Sequence, residues 1–133
     1  MKKVIILIVI FFLFLAACQQ SPEKILVGTW KLDSIETNQI IPQDQLADFN
    51  KAKEEIKAST FLIFKDDYSY KASIWGDTAS GFWKVDNENM ILKISDAKTG
   101  DTATTIIKEI SSKKVVLQET SDEITSVLTF TKN

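Results

Sequence analysis

Gly81-Phe82-Trp83-Lys84-Val85-Asp86-Asn87-Glu88-Asn89-Met90-Ile91-Leu92-Lys93-Ile94-Ser95 reads as two short strands with a turn between them. Met90, Leu92 and Ile94 alternate with Ile91, Lys93 and Ser95, the period of two that gives a strand one dry face and one wet face. Asn87-Glu88-Asn89 is turn chemistry, and a connection that short returns the chain antiparallel.

The same unit recurs outward in both directions. Strands are expected at Thr60–Lys65, Tyr68–Trp75, Gly81–Asp86, Met90–Ser95, Ala103–Ile110, Val115–Thr120 and Ile124–Thr131, preceded by one at Gly28–Ile35. The breaks are Asp66-Asp67, Gly76 to Ser80, Asp96 to Asp101, Ser111-Ser112-Lys113 and Ser121-Asp122-Glu123. Residues 42–58 change period: Leu46, Phe49 and Ile56 recur at helical spacing, with Pro42 and Asp44 at the start and Lys57 near the end. These three apolar side chains predict a helix that covers one end of the sheet. About eight strands in a meander must hide their edges, and closure does so. The fold class expected is all-β: an eight-stranded antiparallel up-and-down barrel with one short helix after the first strand. A two-sheet sandwich is the alternative.

The N-terminal stretch has a different character. Lys2-Lys3 precede an unbroken apolar run, Val4 to Phe14, and Leu15-Ala16-Ala17-Cys18 follow. That is the layout of an export signal, and the run is too short to span a bilayer. Leu-Ala-Ala-Cys resembles a bacterial lipobox, which implies cleavage before Cys18 and acylation of its thiol and new amino group. The expected organisation is a lipoprotein signal over 1–17, a lipidated tether over 18–24 and one β-barrel domain over 25–133. Gln19 in place of Asp favours the outer over the inner membrane of a Gram-negative envelope, by analogy with lipoprotein sorting. The membrane is thus the first expected partner, reached through the anchor.

The 133 residues contain one cysteine, no histidine and no arginine, with formal net charge −2. Removing residues 1–17 takes two lysines and no acid, so the remainder is more acidic still. Nucleic acid is therefore not an expected partner, because phosphate binding needs a clustered basic surface. The commonest general base and metal ligand is missing, and the only thiol is assigned to the anchor. No catalytic residue, metal or cofactor is expected. The adjacent acids Asp66-Asp67 and Glu54-Glu55 point apart on a strand or helix and make no acid–base pair.

Gly28-Thr29-Trp30-Lys31-Leu32 resembles the G-x-W signature of lipocalins, and the chain is similar to small lipocalin-like bacterial lipoproteins. Phe61 to Tyr68 with its Asp-containing hairpin, the second Gly-x-Trp strand at Gly81-Phe82-Trp83, and Leu128-Thr129-Phe130-Thr131 follow in matching order. Lipocalins place an arginine near the last strand over the first tryptophan. This chain has none, and the resemblance implies that Lys132 takes its place over Trp30.

The candidate ligand-binding residues are Trp30, Tyr68, Tyr70 and Trp83, aimed inward if the two Gly-x-Trp strands bend at barrel corners. The plainer reading, which is preferred, makes Trp30, Trp83 and Tyr70 core plugs at a closed end, with Tyr68 turned to solvent. Trp75 and Phe82, bracketing the Gly76–Gly81 loop on the outer face, are the candidate partner-binding residues. The function expected is that of a non-catalytic envelope protein binding a small apolar ligand in or at the mouth of a short barrel. The alternative is an interaction or inhibitor module that uses the outer surface of a filled barrel.

Overall fold

The protein is described here by a computed structural model covering residues 20–133, so Cys18 and the signal segment lie outside the described residues. A short helix α1 (Pro22–Leu26) leads into β1 (Gly28–Thr37). A single 3-10 turn (Gln43–Gln45) and helix α2 (Leu46–Ser59) follow. Then come β2 (Phe61–Phe64), β3 (Ser69–Ile74), β4 (Asp77–Asp86), β5 (Ile91–Asp96), β6 (Thr102–Ile110), β7 (Lys114–Ser121) and β8 (Ile124–Lys132). Each strand pairs antiparallel with the next, and β8 pairs antiparallel with β1, closing an eight-stranded barrel. The closed ladder excludes the sandwich.

Alternation fills the interior. Trp30 and Leu32, Leu62 and Phe64, Tyr70 and Ala72, Trp83 and Val85, Leu92, Ile107, Val115 and Leu117, and Phe130 form one buried cluster to which all eight strands contribute. Each large side chain so buried stabilises the fold by about 1.5–3 kcal/mol relative to exposure. At Gly81 a Cβ would overlap the backbone oxygen of Ser95. Glycine there lets β5 press against β4 where the wall curves.

Three details differ from the sequence reading. Residues up to Lys24 were expected to be tether, yet α1 begins at Pro22 and sets Leu26 fully into the core. The expected loop Gly76 to Ser80 is mostly strand. Trp75 and Gly76 alone make the turn, at φ 54° and 85°, the two-residue pattern that suits the twist of a hairpin. Phe82 therefore lies five residues inside β4, roughly 17 Å along the strand from the turn. Trp75 and Phe82 form no common cluster.

The third correction concerns α2. None of its side chains is buried; Leu46 is exposed, Phe49 half-buried, and only Ile56 packs against the core. β2 is four residues long and pairs only with Gly28–Lys31 of β1, so the wall is low at β2 and β3 and tall at β1. The helix stands on the low wall and leans on β1, where Leu32 N–H donates to Thr60 O at 3.2 Å. Lysines and glutamates surround it, which leaves too narrow an apolar stripe to plug a barrel end.

Candidate functional site

The two ends of the barrel are chemically different. The end that receives α1 is closed. Trp30 Nε1 donates to Leu26 O at 2.8 Å, and Lys132 Nζ lies 5.1 Å from the Trp30 ring centre while donating to Ile25 O at 2.9 Å. Beside them Trp83 meets Phe64 edge-on at 5.4 Å and Tyr68 at 5.2 Å, and its Nε1 donates to Lys65 O at 3.1 Å. Both indole N–H groups thus have backbone partners, as burial of tryptophan requires.

Of the four candidate ligand contacts, Trp30, Tyr70 and Trp83 are core. Burial raises the Tyr70 phenol pKa, and the Asp96 charge adds to that. Tyr68 is 47% exposed, held at φ 66° in the β2–β3 turn, with its hydroxyl 3.3 Å from a Glu23 carboxylate oxygen. The structure stacks the outward-turned Tyr68 on the buried Trp83 at the closed end and holds Trp30 beneath Lys132. It gathers no open pocket around the four.

The opposite end is a mouth. Ile35, Ile94 and Leu128 face inward and are only partly buried there. Thr105 Oγ1 donates to Glu119 Oε1 at 3.2 Å, a polar couple set in an apolar wall. Ile74, Trp75 and Ile124 stand on the rim, 52%, 60% and 38% exposed. Sequence reasoning missed Glu119, although a count of two from Val115 and Leu117 puts it on the inner face. The rim also carries the β7–β8 turn, whose Asp122 and Glu123 both take positive φ without a glycine. Asn38 holds that turn: its Nδ2 donates to Glu123 O, and its Oδ1 accepts Thr125 N–H at 2.8 Å.

The outer wall carries a groove of about 480 Å³ over β2–β4, bordered by Phe61, Ile63, Lys71, Ser80, Asp96 and Lys98. A second recess of about 370 Å³ shares Phe61 and Ile63 and adds Lys31 and the buried Thr60, whose hydroxyl has no hydrogen-bond partner. Three turn carboxylates are acidified by local donors. Asp67 is lowered chiefly by the Ser69 hydroxyl, Asp86 by the Asn89 amide, and Asp96 by the Thr99 backbone N–H. Among the described residues no acid or thiol cluster is placed to hold a metal. No helix among them is long and apolar enough to cross a membrane.

Two solved structures share this architecture. One is a DUF4847 family protein from Bacteroides vulgatus, 18% identical, covering 84% of this chain and 96% of its own, with TM-score 0.61. The other is an uncharacterized protein from Bacteroides eggerthii, 16% identical, covering 81% and 99%, with TM-score 0.54. No match was found among curated proteins. The sequence model of the lipocalin-like domain matches residues 26–117, most of the barrel from α1 to β7. With the G-x-W strand at Trp30 under its covering cation and a closed eight-stranded meander, the chain belongs to the lipocalin-like domain family.

Proposed function

We propose that this protein is a non-catalytic lipoprotein of the cell envelope, anchored through Cys18 to the outer membrane, that binds a small apolar ligand at the mouth of its barrel. The supporting observation is the asymmetry of the lumen. Aromatic rings plug the closed end, while inward-facing Ile35, Ile94 and Leu128 stay partly open to solvent. Inward-facing apolar side chains with one polar couple, Thr105–Glu119, are the usual composition of a small-molecule site. The packed lower half makes the site shallow, so the guest is small and leaves part of itself outside.

Native mass spectrometry of the mature protein from its own host tests this reading directly. A small apolar molecule carried into the gas phase supports it. Displacement by an environment-sensitive apolar dye should weaken on Trp75→Ala or Glu119→Gln. Absence of both a carried molecule and any dye response retires it. Cys18→Ser should block processing and uptake of labelled fatty acid; continued labelling would remove the anchor.

Trp75 supports a second reading, in which the rim meets a protein. It is a large exposed ring at positive φ, and such strain in a non-glycine residue gathers at functional positions. Loss of partner capture on Trp75→Ala, with dye binding intact, would favour this reading over the first.

A further inference from the structure

The outer wall of β2–β4 is apolar-tipped and carries Lys71, Lys84 and Lys98 against the acids Asp96, at the groove, and Asp86, in a protein with more acids than lysines. Its outward positions carry Phe61 and Ile63 on β2, Lys71 on β3, and Phe82 and Lys84 on β4. Phe61 is 40% exposed and Phe82 61%. Lys98 reaches the groove from the β5–β6 turn, which docks through Ala97 N–H donating to Ser80 O. The outward acid of β4, Asp86, is committed to its own turn, accepting from the N–H groups of Glu88 and Asn89 and from the Asn89 amide.

The neighbouring ladder breaks a rule of sheets. Lys84 stands directly opposite Lys93, and like charges in that position repel. Among the described residues neither lysine forms a salt bridge. The Asp86 carboxylate, acidified chiefly by the Asn89 amide and in part by the Lys93 charge, offsets part of that repulsion.

We propose that this wall is the face the protein lays on an anionic lipid bilayer, an inference that rests on the Cys18 anchor. The chain reaches the anchor from the foot of this same wall. Glu23 of α1 is bonded to Tyr68 in the β2–β3 turn, and the five steps back to Cys18 span at most about 18 Å. Phenyl rings and lysine stems suit the headgroup boundary, and lysines near an anionic leaflet are held there electrostatically. With this wall down, the mouth opens sideways into water and stays accessible.

The test uses the full lipidated protein in vesicles, with a fluorophore on Ser80→Cys in the groove or on Gln118→Cys in β7 on the opposite side of the barrel. A headgroup-borne quencher reads proximity. In phosphatidylglycerol vesicles the label at 80 should be quenched roughly threefold more than that at 118. The difference should vanish in neutral phosphatidylcholine, at high salt, or on Lys71→Glu with Lys98→Glu. Equal quenching at both positions overturns the proposal. So does a difference that survives neutral lipid, or one that scales with protein density and so reports a second copy. Failure of the anchor is distinguishable, because an unacylated Cys18 would itself take the fluorophore in the parent chain. Unchanged tryptophan fluorescence in the lysine variants confirms that they fold.

Discussion

Lys132 and Gly28 occupy each other's space: a Cβ on Gly28 would come within 2.6 Å of Lys132 Cε. The bare backbone lets the lysine stem run over Trp30 to reach Ile25 O, so a cation–π contact and a hydrogen bond close the barrel floor. Lys132→Met should lower stability by about 1–2 kcal/mol, from loss of the ring contact and of the donor to a partly buried carbonyl. Gly28→Ala should cost at least as much, since φ is +140° there and the stem must also move. Urea unfolding measures both, and a neutral Gly28→Ala would show that the lysine is not held.

Phe49→Ala should cost under about 1 kcal/mol, because the ring is half-buried and touches no core residue. Ile56→Ala, at the helix's point of contact, should cost more. Thermal unfolding of the two variants gives the order; the reverse order would mean that α2 is seated through its first turns.

Trp83→Ala should destabilise by about 3–5 kcal/mol, whereas Trp75→Ala should stay within about 0.5 kcal/mol. The first empties a site that is 3% exposed and the second removes a ring that is 60% exposed. Denaturant midpoints decide it, and a large effect from Trp75 would place that ring in a packed state.

Glu123→Gly should stabilise by about 0.5–1 kcal/mol by relieving a left-handed residue that carries a side chain. Asn38→Ala should act in the opposite direction by releasing both ends of the same turn. Combining them should cost less than Asn38→Ala alone, which a double-mutant cycle would read.

Stability should fall in acid. Asp67, Asp86 and Asp96 have folded pKa values below the ordinary 3.8, so the unfolded chain binds their protons first as pH drops. Their contribution is fully present at neutral pH and is lost on descent below about pH 4. Changing all three to Asn should flatten the urea midpoint between pH 7 and pH 3. An undiminished slope would assign the acid sensitivity elsewhere.

The barrel was legible because period-two alternation and turn residues are local signals, and in a meander local order is global order. The floor was legible too, since Trp30 and Lys132 follow from the family pattern. The mouth was less so. Tyr68 shares strand phase with Tyr70, but its positive φ turns it out of the lumen, and phase alone does not carry φ. Trp75 and Phe82 looked adjacent across a loop because Asp77 to Ser80 is rich in turn formers; pairing with β3 overrode that composition. The helical period at Leu46, Phe49 and Ile56 was real, but the low β2 wall gave it little to bury against.

That low wall also decides how the protein fails. Beyond Lys31, β1 is paired with β8 on one side, and on the other its backbone is guarded by a helix seated on the core through Ile56 alone. If α2 lifts, six residues from Leu32 to Thr37 become a bare strand edge, able to take up a strand from a neighbouring copy. α2 is what covers that edge in the folded chain.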